Sequence, residues 1–408
     1  MQRNNKKISR NQPCSCGSGK KYKKCCLIKK ASLPTAKEFK IPREAIKEIQ
    51  KQIAKQKALE NVGIYINYVK PEKYTNPKTK KEHKAWALGS TLFHTRDPNE
   101  TFHQFIIDRL RQTLGKEWWE RELELFSKRR HFVMKCFVNL SEWQRRDGVK
   151  REKITKEIWA AKPDGWTKSL LSLAFDICSL IHARHLPQQL LNRLKNQNEY
   201  QGARYEIAVA AIFARLGCDI DFLDENERLT IKHCEFIATH QKTGISVAVE
   251  VKSRHRSGVL HTLGIRKEED LLKGDVQKLL NRALKQNPGD RPFLIFVDIN
   301  SPITPSVKVE EKQWFQDIKK MIGSYNAPTP ENPDPYNGIF FTNYSYHYQT
   351  EKEAEPGEYL SITSLHPKFS LPDSNFLIML NRAVANYGNV PNLDLEYDNT
   401  KTNSNIVP

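Results

Sequence analysis

Apolar residues in the second half of the chain alternate between helical and strand spacing. The apolar run Tyr205–Leu216 predicts a helix that ends at Gly217, because glycine readily ends helices. Shorter apolar runs bounded by turn residues predict strands. The predicted strands are Leu229–Thr239, Ile245–Lys252, Pro292–Ile299 and Gly338–Tyr344, and a second helix is predicted at Asp275–Gln286. Helices interleaved with strands indicate an α/β domain with a central mixed sheet over residues 200–386.

Helical spacing dominates the first half of the chain. It recurs in the runs Thr101–Gly115, Leu123–Leu140 and Trp166–Leu191. Upstream, Pro42 opens a polar helical stretch, and Val62–Val69 predicts a strand followed by a polar loop. We therefore predict a multidomain protein. Its segments are a cysteine-containing knuckle at 10–31, a basic helical linker at 32–60, a mainly α-helical middle domain at 61–199, the α/β domain at 200–386 and a flexible tail at 387–408.

The two strands on either side of Gln241–Gly244 form a predicted hairpin. If the turn is centred on Lys242 and Thr243, the numbers of facing residues add up to 485. Because side chains alternate between the faces of a strand, this register places apolar residues on one face and titratable residues on the other. The predicted facing pairs are Phe236 with Val249, Cys234 with Val251, Glu235 with Glu250, and His233 with Lys252.

Glu235 and Glu250 would place two negative charges side by side on this hairpin. Like charges directly opposite each other destabilise a sheet, so we expect the pair to bind a cation. Ligation by carboxylate oxygens alone suits Mg²⁺ or Mn²⁺ better than zinc. Lys252 lies two residues after Glu250 on the same face and is expected to reach a metal-bound water or a phosphate. The alternative is a surface hairpin with solvated Glu and Lys side chains.

These residues together resemble the PD-(D/E)xK superfamily of restriction-endonuclease-like nucleases. The resemblance rests on one acidic residue, then an acid-x-lysine strand, with a further acid and a glutamine on the flanking helices. It implies a restriction-endonuclease-like α/β fold and metal-dependent hydrolysis of phosphodiester bonds. The implied roles are ligation of Mg²⁺ or Mn²⁺ for Glu206, Glu235 and Glu250, positioning or deprotonation of water for Lys252, and orientation of water or backbone for Gln277.

Two positions depart from the usual pattern of that superfamily. Glu235 stands where Asp is usual, and Cys234 stands where Pro is common. Glu is longer by one methylene, so the metal geometry would have to adjust. A member that keeps the fold without catalysis is therefore a second alternative. The basic segment after Lys252, including Arg254, Arg256 and Arg266, lies where it could contact a phosphate backbone.

Four cysteines lie close together near the start of the chain, as Cys14-x-Cys16 and then Cys25-Cys26. Two pairs of thiolates separated by a short polar loop are what a tetrahedral zinc site needs. The sequence from Arg10 to Cys26 resembles the SEC-C zinc motif, which is appended to many unrelated bacterial proteins. The resemblance implies a structural Zn²⁺ held by all four cysteines and a basic surface that contacts partners. A disulfide pair is the alternative.

Charge is distributed unevenly along the 408 residues, which carry a net charge of +19. Residues 1–30 hold ten Lys/Arg and no acid, whereas residues 291–408 hold nine Lys/Arg against fourteen Asp/Glu. A cationic first half is typical of proteins that bind a polyanion such as nucleic acid or the ribosome. A soluble basic protein without such a partner is the alternative.

No apolar run approaches the roughly 18 residues needed to span a bilayer. The N-terminus also lacks the apolar core of a signal peptide. We therefore expect a cytoplasmic protein without membrane attachment.

These patterns together predict a Mg²⁺-dependent endonuclease that acts on DNA, with the zinc knuckle as a docking module for a protein partner or for nucleic acid. The resemblance to that nuclease superfamily implies a context of bacterial repair, restriction or antiviral defence. The second hypothesis is a non-catalytic SEC-C adaptor that binds a ribosome, a chaperone or RNA. The third is an RNA-cleaving toxin, because a carboxylate–lysine site does not itself distinguish the two sugars.

Overall fold

The computed structural model describes ten ranges of the chain. They are 11–12, 18–24, 68–75, 82–88, 91–94, 100–146, 149–153, 159–182, 186–223 and 233–391. The predicted zinc ligands Cys14, Cys16, Cys25 and Cys26 lie outside these ranges, as does the predicted linker helix.

The chain divides into two compact units, Met1–Lys57 and Ala58–Pro408. In the first unit, Tyr22–Lys24 forms one turn of 3₁₀ helix. The amide of Tyr22 donates to the carbonyl of Gln12 at 2.8 Å. The remaining elements belong to the second unit.

The α-helices of the described ranges are numbered here in chain order. They are α1 (Phe102–Leu114), α2 (Lys116–Glu124), α3 (Phe132–Arg145), α4 (Gly165–His182), α5 (Gln188–Lys195), α6 (Tyr200–Arg215), α7 (Glu268–Leu271), α8 (Gln277–Leu284), α9 (Gln313–Gly323) and α10 (Ser374–Ala385). Single turns of 3₁₀ helix occur at Val309–Glu311 and Tyr346–Tyr348.

Local sequence explains where the first helices begin and end. Thr101 and Gln104 form a capping box, in which each side chain accepts from the other residue's amide, at 3.2 and 2.8 Å. Gly115, with a φ of 89°, ends α1 as the sequence predicted. The predicted run Leu123–Leu140 is instead two helices, because the chain leaves the helical path at 125–131. The mainly helical character of this part of the chain is confirmed.

A small antiparallel sheet consists of β1 (Tyr68–Thr75), β2 (Glu82–Leu88) and β3 (Thr91–His94). The prediction of a loop after Val69 was wrong, because β1 continues through Pro71. The register shifts between Val69 and Glu72, and β1 is an edge strand. A bulge on an edge strand is one of the few places in a sheet that tolerate proline.

The remaining strands form a two-stranded hairpin and one large sheet. They are β4 (Arg151–Lys153) and β5 (Trp159–Ala161) in the hairpin, and β6 (Cys218–Phe222), β7 (Phe236–His240), β8 (Ser246–Ser253), β9 (Phe293–Asp298), β10 (Gly338–Asn343) and β11 (Glu358–Thr363) in the sheet. The order in the sheet is β11-β10-β9-β8-β7-β6. The strands β6, β7 and β8 form an antiparallel meander, β8, β9 and β10 are parallel, and β11 is antiparallel. The predicted central mixed sheet is confirmed.

The predicted hairpin register is also found, since Phe236 pairs with Val249 and Ile237 with Ala248. Alternation along β9 separates the core into two layers. Leu294 and Phe296 pack in one layer with the helices α1–α6 and α10. Phe293, Ile295 and Val297 pack in the other layer with α8 and α9. The strand is completely buried because both faces are covered.

Cys234 does not lie on the predicted face. It packs in the layer of α8, whereas Phe236, Val249 and Val251 pack in the opposite layer. The physical reason is that β7 begins only at Phe236 and the chain bends at Glu235, so strand alternation does not extend back to Cys234.

The helices of the first half and the sheet share a hydrophobic core. Phe175 of α4 and Phe213 of α6 belong to the same buried cluster as Phe296 of β9. The predicted boundary at residue 200 therefore runs through a shared core. Tyr387, the first residue of the predicted tail, is buried and its hydroxyl donates to Asp176 at 2.7 Å. None of the helices in the described ranges is long and apolar enough to cross a bilayer.

Candidate carboxylate–lysine site

The strand β8 carries Glu250 and Lys252 on one face, opposite the buried Val249 and Val251. Glu235 lies immediately before β7, next to this part of β8. The ammonium group of Lys252 forms an ion pair with Glu250 Oε1 and lies 3.4 Å from Glu235 Oε1. The structure therefore brings three of the predicted site residues into direct contact.

The cation between the two glutamates is supplied by the chain itself. The Glu250 side chain is only 1 % exposed, whereas that of Lys252 is 24 % exposed. A buried carboxylate beside a second carboxylate is strongly destabilised unless a positive charge lies next to both. Lys252 meets that requirement in the structure. We expected Mg²⁺ or Mn²⁺ to fill this place.

Glu206, on the second turn of α6, is paired with a residue that the sequence did not single out. Arg193 of α5 donates to both carboxylate oxygens of Glu206, at 2.7 and 2.6 Å. Such a fork-to-fork pair is strong and fixes the orientation of the carboxylate. No motif could have indicated it, because Arg193 and Glu206 come from different helices that meet only in the folded chain.

Glu206 and Glu250 hold protons more tightly than exposed carboxylates do. Burial raises the pKa of Glu206 to about 7, and the charge of Glu235 adds to this rise against the opposing effect of Arg193. Burial also raises the pKa of Glu250 to about 8, against the attraction of Lys252. Burial lowers the pKa of Lys252, but Glu250 and Glu235 outweigh it and leave the pKa above its ordinary value. The four groups thus interact as one electrostatic unit.

Gln277 is the predicted site residue that this cluster does not include. It is the first residue of α8 and its side chain is exposed. Among the described residues, no hydrogen bond joins Gln277 to the three glutamates or to Lys252.

A second group of polar residues holds the end of β8 against α6. The Ser253 hydroxyl donates to Asp298 at 2.9 Å, and the Gln201 side chain donates to the carbonyl of Arg254 at 2.6 Å. Gln201 and Glu206 lie on the same helix, so these bonds fix Lys252 relative to Glu206. Burial raises the pKa of Asp298 to about 6.

The basic segment after Lys252 is largely used within the fold. Arg256 is buried, and its guanidinium donates to four backbone carbonyls, including those of Asn300 and Lys273. Arg254 forms an ion pair with Asp275. The expectation that Arg256 contacts phosphate is therefore wrong, because the side chain is buried and four of its hydrogen bonds already close the chain around residues 270–300. Arg266 is exposed.

Within the described ranges, no group of three or more His, Cys, Asp or Glu residues is arranged to hold a metal ion. The donor chemistry nevertheless suits a divalent cation. Glu206, Glu235 and Glu250 offer only oxygen ligands, and three carboxylates face the two cations Arg193 and Lys252. The raised pKa values of Glu206 and Glu250 come first from burial, and the neighbouring carboxylates add to them.

Comparison with known proteins identifies the N-terminal motif. The family described as the SEC-C motif matches residues 10–27, which confirms that resemblance. SEC-C is a zinc-binding motif in general. The translocase subunit SecA of Syntrophus aciditrophicus is 69% identical over 26 residues, which are 6% of this chain and 3% of that protein. SecA of Elusimicrobium minutum is 86% identical over 22 residues, 5% of this chain and 2% of that protein.

A further relative is the uncharacterized protein YccF of Bacillus subtilis, which is 53% identical over 45 residues, 10% of this chain and 13% of that protein. The chain thus covers a small fraction of the length of each of these relatives. No solved structure matches the chain. The resemblance to PD-(D/E)xK nucleases therefore stays a prediction from the carboxylate–lysine residues.

Proposed function

We propose that the second unit is a metal-dependent endonuclease that hydrolyses phosphodiester bonds, with DNA as its expected substrate. The SEC-C motif would serve as its docking module. The observation that carries the proposal is the contact of Lys252 with both Glu235 and Glu250, beside a third buried acid, Glu206. Groups with pKa values shifted by burial and by like charges are concentrated at catalytic sites.

In this proposal, Glu235, Glu250 and Glu206 hold Mg²⁺ or Mn²⁺. Once bound, the metal would lower the pKa of a water and offset negative charge on the phosphate. Glu250 is fixed by its place on a strand between two other strands, so its carboxylate is well oriented before metal binds. Lys252 would leave the carboxylates when the metal enters, and its ammonium group would then be available to a phosphate or to the attacking water.

Two features support a catalytic function over a surface hairpin with solvated charges. Glu250 is buried and has its pKa raised to about 8, which a solvated glutamate would not show. The end of β8 next to Lys252 is also fixed by hydrogen bonds, because the Gln201 side chain donates to Ser253 and Ser253 donates to Asp298. A carboxylate cluster without a function would be costly to keep in a buried position.

Cleavage assays with plasmid DNA, single-stranded DNA and structured RNA test the proposal directly. Each substrate is incubated with Mg²⁺, Mn²⁺ or EDTA and with wild type, Glu250→Gln or the control Glu310→Gln. Glu310 lies in an exposed 3₁₀ turn outside the site. We expect cleavage by wild type and Glu310→Gln in the presence of metal, and none by Glu250→Gln or in EDTA.

The second candidate is a non-catalytic adaptor, which the SEC-C match favours because that motif occurs in proteins of unrelated activity. Absence of metal-dependent cleavage, together with absence of Mg²⁺ or Mn²⁺ binding by calorimetry, would establish the adaptor over the nuclease. Loss of activity in Glu310→Gln as well as in Glu250→Gln would show that the assay reports general charge and not this site. The RNA substrate separates an RNA-cleaving toxin from a DNA-cleaving enzyme.

A further inference from the structure

Two loops of the second unit expose large apolar side chains to solvent. Phe126, in the loop between α2 and α3, is 84% exposed. Leu263 and Ile265, in the loop between β8 and α7, are 90% and 81% exposed. Single exposed apolar residues are common, but neighbouring loops that both present them point to a binding surface.

The loop that carries Phe126 is held rigidly. The Arg130 guanidinium donates to the carbonyls of Leu125 and Leu123, at 2.9 and 3.0 Å. The Phe126 carbonyl accepts from the amides of Arg129 and Arg130. Phe126 is therefore exposed because its backbone is fixed in that position, and not because the loop lacks structure.

The second loop is closed by its own backbone. The amide of Gly258 donates to the carbonyl of Thr262 at 3.1 Å, and Gly258 has a φ of 69°. A Cβ atom at Gly258 would lie 2.5 Å from the amide nitrogen of Arg266, so only glycine fits this turn. Val259 is buried and anchors the loop. Leu263 and Ile265 are therefore exposed on a loop whose backbone is already ordered.

The bases of the two loops are in contact. The amide of Phe132, just after the first loop, donates to His261 Nε2 of the second loop at 3.2 Å. The rings of His131 and His261 lie 5.4 Å apart. The first loop also contacts the α5–α6 connection, where the Gln197 side chain donates to the carbonyl of Arg129 at 2.9 Å. The two loops are thus built onto the helix pair that carries Arg193 and Glu206.

The charge around Phe126 indicates the kind of partner. Residues 125–135 contain four Lys/Arg and no acid. Lys128 and Arg129 are exposed, and neither has a carboxylate partner among the described residues. On the second loop, Arg266 pairs with Glu268 at 2.9 Å, and Lys267 is exposed beside it. An exposed aromatic ring close in sequence to the exposed cations Lys128 and Arg129 suits a polyanion with flat apolar groups.

We infer that the Phe126 loop and the Leu263–Ile265 loop form a binding surface for a nucleic-acid strand with unpaired bases. Phe126 stacks on a base, Leu263 and Ile265 contact neighbouring bases, and Lys128 and Arg129 contact phosphates. A duplex hides the faces of its bases, so this surface selects single-stranded or locally opened nucleic acid. The inference rests on the proposed function, since the strand bound here would be the one that the carboxylate–lysine site cuts.

Binding is measured in EDTA with the full chain, so that it does not depend on cleavage. The probes are labelled oligothymidine and oligouridine of about 20 nucleotides, longer than typical single-strand sites of about 4–16 nucleotides, and a duplex of the same length. We expect Phe126→Ala to weaken binding of the single strands at least about fivefold and binding of the duplex much less. The matched control is Leu365→Ala, which removes an equally exposed apolar side chain outside both loops.

The basic pair is tested by salt dependence. Lys128→Ala combined with Arg129→Ala is expected to reduce the slope of log affinity against log salt by about 1.4, since each lost phosphate contact removes about 0.7 for a single strand. The control is Lys319→Ala with Lys320→Ala, an exposed adjacent pair on α9. An unchanged slope in the loop variant would overturn the phosphate contacts.

A local measurement separates this surface from the cationic N-terminus. Oligonucleotides containing 4-thiothymidine are crosslinked by light, and the crosslinked peptides are identified by mass spectrometry. Crosslinks within 125–135 or 261–267 support the inference, and crosslinks confined to residues 1–57 overturn it. Equal binding by Phe126→Ala and wild type, with a lower oligomeric state of the variant in ultracentrifugation, would assign the surface to a second copy of the chain.

The inference and the proposed function fail in different ways. Glu250→Gln should bind single strands as wild type does while it fails to cleave them. Cleavage that persists in Phe126→Ala at unchanged affinity would overturn the binding surface and leave the nuclease in place.

Discussion

The residues of the cysteine motif are neighbours in sequence, whereas those of the carboxylate–lysine site are brought together by folding. The four cysteines fall within thirteen consecutive residues, Cys14 to Cys26, and the family match covers residues 10–27 alone. The second site takes Arg193 and Glu206 from two helices, and Glu235, Glu250 and Lys252 from a hairpin. A local motif can move between proteins as a unit, whereas a site of this kind exists only with its whole sheet.

The two regions also stabilise charge differently. Structural zinc would neutralise four thiolates in a short segment that has too little core to fold alone. The buried carboxylates instead have Lys252 and Arg193 as resident cations, and they retain raised pKa values of about 7 and 8. A metal at the second site must therefore compete with protein cations and with protons. This competition gives the predictions that follow.

The largest expected effect comes from Lys252→Ala. Cleavage should fall by about 10²–10⁴-fold, as for loss of a group that acts on the attacking water. Because Lys252 lowers the pKa of Glu250, its loss raises that pKa further, so Mg²⁺ affinities are compared after extrapolation to the fully ionised site. There Mg²⁺ should bind more tightly than to wild type, because the competing ammonium group is gone. Calorimetry and cleavage rates check the two effects separately.

The matched control for that prediction is Lys319→Ala, on the exposed face of α9. This variant should change neither the cleavage rate nor the Mg²⁺ affinity. If Lys252→Ala weakens both Mg²⁺ binding and cleavage, Lys252 supports the fold of the site and does not compete with the metal.

The second largest effect concerns pH. Because Glu206 and Glu250 must lose protons to bind a metal and have pKa values of about 7 and 8, Mg²⁺ affinity should rise with pH up to about 8 and then level off. Between pH 8 and pH 6 the affinity should fall by about 500-fold, since each of the two groups costs roughly tenfold for every unit below its own pKa. Calorimetry in buffers of different ionisation enthalpy also counts the protons released. Affinity that is constant from pH 6 to 8 would contradict the raised pKa values.

A smaller effect is expected from Arg193→Gln. Arg193 lowers the pKa of Glu206, so its loss should raise that pKa further. The pH at which Mg²⁺ binding reaches half its maximum should then move upward by about one unit, which is typical for the loss of an adjacent opposite charge. The conservative variant Arg193→Lys should show a smaller shift. An unchanged pH midpoint would mean that Glu206 takes no part in metal binding.

The smallest effect on chemistry should follow from removing the cysteine motif. The combined change Cys25→Ser and Cys26→Ser should abolish bound zinc, as measured by elemental analysis. Cleavage of a short oligonucleotide should stay within about twofold of wild type, because a zinc held by four sulfurs has no open position for substrate. If the variant loses cleavage as well as zinc, the cysteine motif is needed for catalysis. If the wild-type protein contains almost no zinc, the motif does not bind zinc.

Features of the site that depend on residues close together in sequence could be predicted, whereas features that depend on residues far apart in sequence could not. The pairing of Phe236 with Val249 followed from the hairpin turn, and with it the proximity of Glu235 to Glu250. The face of Cys234 was predicted wrongly, because the bend at Glu235 depends on how the chain enters the sheet. Leu123–Leu140 has continuous helical spacing, which predicted one helix. In the structure a turn interrupts it, and the Arg130 side chain donates to backbone carbonyls of that turn.

The sequence by itself determined the features that neighbouring residues specify. These are the SEC-C motif, the alternation of helices and strands around a mixed sheet in the second half, and the hairpin register. The edge strands β6 and β11 were not predicted. Tertiary structure alone decided which cation is present and which partner Glu206 has. Lys252 and Arg193 reach these carboxylates because burial of the shared core brings β8, α5 and α6 together. Periodicity reports which side of an element is buried, but the partner across the core depends on how all the elements pack.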